Sequence, residues 1–117
     1  MRRLVELLGK NILRFEKDLS VTFLLDIYES LLSKNQAELM RLYFDHDHSL
    51  AEVALYCGIT RQAAQDSIKR AQSKLNEFEH SLKMGARYIA TKHLLHNIEN
   101  GCDIQMAVKH LREAWED

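Results

Sequence analysis

Residues 60–74, TRQAAQDSIKRAQSK, gather side chains suited to reading nucleic acid. Arginine can present its fork to two acceptors on guanine, and glutamine can pair its amide with adenine, so Arg61, Gln62 and Gln65 are candidate readers. Thr60, at the start of a helix, suits a phosphate, and Lys69, Arg70 and Lys74 add attraction to phosphate that carries no sequence information. Within this stretch Asp66 alone opposes four cations, whereas residues 21–59 hold Asp26, Glu29, Glu38, Asp45, Asp47 and Glu52 against Lys34 and Arg41. Asp66 weakens the pull on phosphate, although its carboxylate can accept from the cytosine amine. The competing reading is plain: the solvated face of an ordinary corner between helices.

Other clusters promise less. His46, Asp47 and His48 could offer two imidazoles and a carboxylate to a metal, but alternate residues of a loop do not preform a site. His93, His96 and Glu99 share a helical face without a ligand from elsewhere, so no metal is expected there either. Cys57 and Cys102 show no paired spacing, which suggests neither a disulfide framework nor a zinc knuckle and fits a reducing cytoplasm. Cys57, just before a turn glycine, reads as a small apolar residue rather than a reactive thiol. Four scattered glycines make no phosphate-cradling loop, and no nucleophile sits beside a base, so neither catalysis nor a cofactor is expected.

Helices must hold the reading face. The chain has 117 residues, 46% apolar and 28% charged, with no proline, which points to one all-α domain of about six helices. Its formal charge of -1 gives no bulk basic footprint, so the distribution of charge carries the nucleic-acid argument. Leu4, Leu8, Ile12, Phe15 and Leu19 recur on one face of a first helix, and charges interrupt it well short of the ~20 apolar residues a membrane span needs. Phe23, Ile27 and Leu31 beside Leu24, Tyr28 and Leu32 predict a more buried second helix.

Ser33 with Gln36, and Ser49 with Glu52, have the spacing of capping boxes and predict two further helix starts around a turn-like DHDH at 45–48. Leu39, Leu42 and Tyr43 are the expected inner face of the first of these. Ala64, Ile68, Ala71, Leu75, Phe78 and Leu82 are spaced 4, 3, 4, 3, 4 and predict one long helix over about 61–83, its latter half extending beyond the core to meet a partner. Gly85 marks an expected break. A helix using Tyr88, Ile89, Leu95 and Ile98 follows, ended by Asn100 and Gly101. Asp103 caps a last helix with Ile104, Ala107, Val108, Leu111 and Trp115 on one stripe, Trp115 docking it. The expected organisation is residues 1–84 with a motif at 49–70, then a C-terminal helical hairpin, 85–117, packed on the same domain or on a dimer partner.

Residues 49–68 meet the demands of a helix-turn-helix, two closely crossing helices joined by a tight turn. Ala54 supplies the small residue at the crossing and Gly58 the turn. Ile59 is expected to plug the corner, while Ala64 and Ile68 hold the second helix down. Arg61, Gln62, Gln65, Asp66 and Lys69 then face outward.

The stretch LLDIYESLLSKNQAELMRLYFDHDHSLAEVALYCGITRQAAQDSIKRAQSKLNEFEHSLKM resembles the YlxM family of small bacterial proteins and, more distantly, region 4 of sigma factors. SLAEVALYCGITRQAAQDSIKRAQSKL, with LYF upstream, is the most specific part. The resemblance implies an all-helical, sigma-region-4-like helix-turn-helix with a long recognition helix, often dimeric, suspected of regulating the signal recognition particle pathway. The family's turn is followed by SRQAV or similar, so its contacts carry over to Thr60, Arg61, Gln62, Gln65 and Lys69. Ala64 is smaller than the usual valine, and Cys57 replaces a larger apolar residue, which implies a looser corner. The expected function is DNA binding by a cytoplasmic regulatory homodimer. The alternative is a non-enzymatic adaptor, or an RNA-binding accessory of the signal recognition particle. Residues 60–75 offer no aromatic ring for stacking unpaired bases, which favours a duplex over RNA.

Overall fold

The computed structural model describes residues 20–116, which fall into two compact units, Ser20–Leu82 and the described part of Lys83–Asp117. All regular structure among the described residues is helical. The helix expected over residues 4–19 lies outside them.

In the first unit, α1 (Val21–Tyr28) starts where the Ser20 hydroxyl accepts from the Phe23 amide, and it tightens into a 3₁₀ turn over Glu29–Leu31. Leu24, Leu25, Tyr28 and Leu32 are buried, whereas Leu31 is exposed. Of the two stripes expected here, only the one through Leu24 enters the core. The α2 helix (Lys34–Phe44) opens on a complete capping box: Ser33 Oγ accepts from the Gln36 amide, and Gln36 reaches back to the Ser33 amide. Its inner face is Ala37, Leu39 and Met40, rotated from the expected one, with Leu42 and Tyr43 half-buried. Arg41 binds Asp26 and Glu29 at 2.9 Å and Asp45 at 2.7 Å, neutralising part of the acidic excess of this unit.

The α3 helix (Leu50–Cys57) has the second capping box, Ser49 with Glu52. Gly58 ends it at φ 67, in the left-handed region. The Ile59 amide donates to the Ala54 carbonyl and the Gly58 amide to that of Leu55, the paired bonds of a Schellman motif. Thr60 Oγ1 then accepts from the Ala63 amide at 3.0 Å, and α4 runs from Arg61 to Leu82.

Ala64, Ile68, Ala71 and Leu75 of α4 are buried against α1, α2 and α3. In the latter half of α4 Leu75 is buried and Phe78 half-buried within the unit, contrary to expectation, whereas Leu82 at its end is exposed. Tyr28 lies 5.8 Å from Phe78 between ring centroids and donates its hydroxyl to Glu79 Oε1 at 2.7 Å. An apolar ring with a polar tip can close a seam that periodicity alone leaves open.

The second unit is a hairpin of α5 (Met84–Glu99) and α6 (Ile104–Trp115). The break before it falls at Lys83, φ 55, and not at Gly85, which is buried inside α5. The hairpin turn is a second Schellman motif: Gly101, φ 86, donates to Ile98 and Cys102 to Asn97. Asp103 caps α6 by accepting from the Gln105 amide. Small residues let the helices approach, with Gly85, Ala86, Ala90 and Leu94 of α5 and Ala107 and Ala114 of α6 buried. Tyr88 and Leu95, expected on the inner face, are exposed. Buried Arg87 donates to the Ala114 carbonyl at 3.1 Å and stands 5.6 Å from the Trp115 ring, closing the last turn of α6. Trp115 donates to Thr91 Oγ1 at 3.2 Å, so it docks α6 on α5.

Candidate nucleic-acid interface

Ala64 and Ile68, fully or nearly buried, fix which side of α4 faces out. At 100° per residue, Gln62, Asp66 and Lys69 then lie opposite the core, with Arg61 and Gln65 on one flank. All are exposed except Gln65, which is half-buried beside α2 and α3. Thr60 stands at the head of this surface, its hydroxyl engaged in the helix cap. Five of the seven expected contact residues thus share one continuous face.

Arg70 and Lys74 turn away toward the other flank of α4. Lys74 Nζ donates to Gln36 Oε1 at 3.3 Å, reaching the start of α2 rather than the reading face. Arg70 is exposed between the two directions. The seven residues therefore divide into a contiguous group of five and two cations set aside from it.

The outward face of α4 is not bare side chain. Gln62 Nε2 donates to Asp66 Oδ1 at 3.1 Å, which orients the amide and partly occupies the carboxylate. Arg61 lines a hollow of about 480 Å³ with Tyr43, Asp47, His48, Ser49 and Leu50. Gln65 and Lys69 border another, of about 290 Å³, with Tyr43, Phe44, Leu50, Ile68 and Gln72. Tyr43 and Phe44 meet edge to face at 4.9 Å. Residues 60–75 hold no aromatic, but α2 brings this pair alongside them, and Gln72 joins the Gln65 flank by its place in the helical repeat. The LYF string held the signal, since two successive aromatics at a helix end cannot both point into one core.

Behind the turn, Ile59 is 40% exposed and lines an outer hollow with Leu39, Tyr56 and Cys57, so it does not plug the corner. The Schellman bonds and the αL glycine hold the turn instead. Burial first, and the charge of Glu38 second, push the Cys57 thiol up, consistent with a small apolar residue. Glu52 is held below the usual carboxylate range, chiefly by the Ser49 amide of its capping box and then by His48, whose Nδ1 lies 3.3 Å away. Among the described residues no group of three or more His, Cys, Asp or Glu side chains converges to hold a metal ion, and no helix is long and apolar enough to cross a membrane.

The family described as "Putative helix-turn-helix protein, YlxM / p13 like", UPF0122, matches residues 15–114, so the likeness continues through the C-terminal hairpin, past residue 84 where the stretch that first suggests it ends. The UPF0122 protein of Halalkalibacterium halodurans is 34% identical over 96 residues, covering 82% of this chain and 88% of that protein. That of Symbiobacterium thermophilum is 37% identical over 83 residues, 71% of this chain and 78% of the relative. The protein of Streptococcus gordonii is 36% identical over 86 residues, with coverage of 74% and 78%. With the capped α3, the left-handed glycine turn and the long α4 in place, the chain belongs to the UPF0122 family of YlxM/p13-like helix-turn-helix proteins.

Proposed function

We propose that the Ser20–Leu82 unit binds duplex DNA through the face made by Thr60, Arg61, Gln62, Gln65 and Lys69, and that the protein is a non-enzymatic cytoplasmic regulator. One observation carries the reading: the cationic, amide-rich segment is solvent-facing on the second helix of a helix-turn-helix while its apolar residues are buried. Arg61 and the glutamines are suited to base edges, and Lys69 to phosphate. Arg70 adds attraction from the flank, while Lys74 is engaged with Gln36. A homodimer would bring two such helices to two half-sites, and the family resemblance supports the signal recognition particle pathway as the regulated system.

Tyr43 and Phe44 favour a second reading. An aromatic pair beside glutamines and a lysine suits stacking of unpaired bases, which makes a structured RNA, including the RNA of the signal recognition particle, the other ligand to try.

Fluorescence anisotropy against a labelled mixed-sequence duplex and a structured RNA, titrated from low to physiological salt, tests both. Duplex binding that weakens with salt and is lost in Arg61→Ala supports the first reading, because neutralised phosphates release counterions. Binding to RNA alone transfers the function to RNA, and binding to neither leaves a protein adaptor.

A further inference from the structure

The outer side of α3 carries large apolar side chains into solvent. Val53 and Ala54 are buried and fix the inner side of this helix, so Leu55, next in its ~100° steps, turns away from the core with Tyr56 on the flank toward α2. Leu55 is 85% exposed, Tyr56 68% and Ile59, just past the turn, 40%. All of Ser20–Leu82 is described, so within this unit nothing covers them. Single exposed apolar residues are ordinary, but a group of them joined by hollows marks an interaction site.

Tyr56 stands between two hollows. One, of about 260 Å³, is lined with it by Leu42, Val53 and Leu55, and the other, of about 450 Å³, by Leu39, Cys57 and Ile59. The charge at their margins has one sign. Among the described residues that line them, Glu52 borders the first and Glu38 the second, and neither has a lysine or arginine. His48 lies 3.3 Å from Glu52, and Lys74 touches the second hollow only through Gln36. Burial, and after it the charge of Glu38, pushes the Cys57 thiol up, so a negative field reaches the wall of that hollow. None of Thr60, Arg61, Gln62, Gln65 and Lys69 borders either one, which separates this face from the one proposed to meet nucleic acid.

We propose that this face takes a basic amphipathic helix from another protein, its apolar stripe laid across Leu55, Tyr56 and Ile59 and its lysines or arginines toward Glu38 and Glu52. Hollows on both sides of one ring suit successive side chains of a helical row, three or four residues apart, as in the recognition of a helix by a groove. The carboxylates draw a basic partner in and repel an acidic one, nucleic acid included. A second copy of this chain fits badly. Two-fold pairing would set Glu38 and Glu52 against their own copies, and the three apolar side chains offer roughly 350 Å² against the ~800 Å² per partner of a stable dimer.

The experiment uses a labelled peptide of roughly 18 residues, five helical turns, with leucine on one stripe and lysine elsewhere, beside a twin in which glutamate replaces lysine. In anisotropy titrations the full chain should bind the lysine peptide about tenfold more tightly than its twin, the discrimination expected of complementary charge. Tyr56→Ala should weaken the lysine peptide about tenfold, the loss of a central aromatic anchor, while leaving any duplex affinity unchanged. Glu38→Gln combined with Glu52→Gln should bring the two peptides close to parity, and glutamine at 52 keeps the capping spacing. On the wild-type chain the lysine peptide should also slow maleimide labelling of Cys57 and leave Cys102 unaffected. Equal uptake of the two peptides, uptake of neither, binding that ignores Tyr56, a preference that survives loss of both carboxylates, or a Cys57 left unprotected each overturns the proposal. The wild-type labelling decides the question even where a variant fails to fold.

Discussion

Lys74 and Gln36 meet across α4 and α2 at 3.3 Å, and the same glutamine oxygen takes part in the capping box that starts α2. A lysine that sequence alone assigns to phosphate is thus engaged in joining two helices. Lys74→Ala should leave duplex affinity within about twofold while lowering stability by about 0.5 kcal/mol, as expected for an exposed polar contact. Lys69→Ala should instead reduce the slope of log affinity against log salt by about 1. Equal losses from the two variants in a salt-titrated anisotropy series would move the interface to the other flank of α4.

The turn makes a separate demand. Gly58 sits at φ 67 with open space around it, so a side chain there meets strain in the backbone and no clash. Gly58→Ala should cost about 1–2 kcal/mol in chemical denaturation, and Gly58→Asn less, because asparagine tolerates the left-handed region. An alanine variant as stable as wild type would show that α3 can end another way.

The Arg41 cluster gives the fold an acid dependence. Its hydrogen bond, opposed by slight burial, holds Glu29 below the usual carboxylate range. A lowered folded value means the stabilisation is fully present above the ordinary glutamate value of about 4.3 and is lost as pH falls through the folded one. Glu29 is exposed enough that the effect should be small, under about 1 kcal/mol. Thermal melts between pH 6 and 3 should show Glu29→Gln losing less stability than wild type, and parallel curves would remove Glu29 from the account.

Two cysteines allow a simple check on the corner. Cys57 is half-buried with its thiol pushed up, whereas Cys102 is exposed at the hairpin turn. Maleimide at neutral pH should label Cys102 at least tenfold faster, read by mass spectrometry of digested protein. Comparable rates would mean that the α3 end opens readily.

Local chemistry was the legible part of this chain. Ser33 with Gln36, Ser49 with Glu52, Gly58 and Asp103 act within three or four residues, and each does in the structure what its type and spacing predict. The outward placement of Arg61, Gln62, Asp66 and Lys69 is legible as well, since Ala64 and Ile68 fix the phase of α4. What depended on neighbours was harder to read. Periodicity finds a stripe but cannot say what covers it: Tyr28 covers the α4 seam at Phe78, while Leu82 stays exposed. Tyr88 and Leu95 looked buried because large apolar residues usually are, yet alanines make the closer contact. Arg87 was missed because nothing local tells a solvated arginine from one that caps a distant helix.

The bond from Gln62 to Asp66 bears on how such a surface would choose its ligand. An amide already held in one orientation arrives with its acceptor and remaining donor set, so little rotational freedom is left to lose on docking. The carboxylate that holds it also repels every phosphate equally. If the proposed duplex reading holds, Asp66 trades tightness for choosiness: in salt-matched anisotropy Asp66→Ala should bind all duplexes better and tell them apart less well.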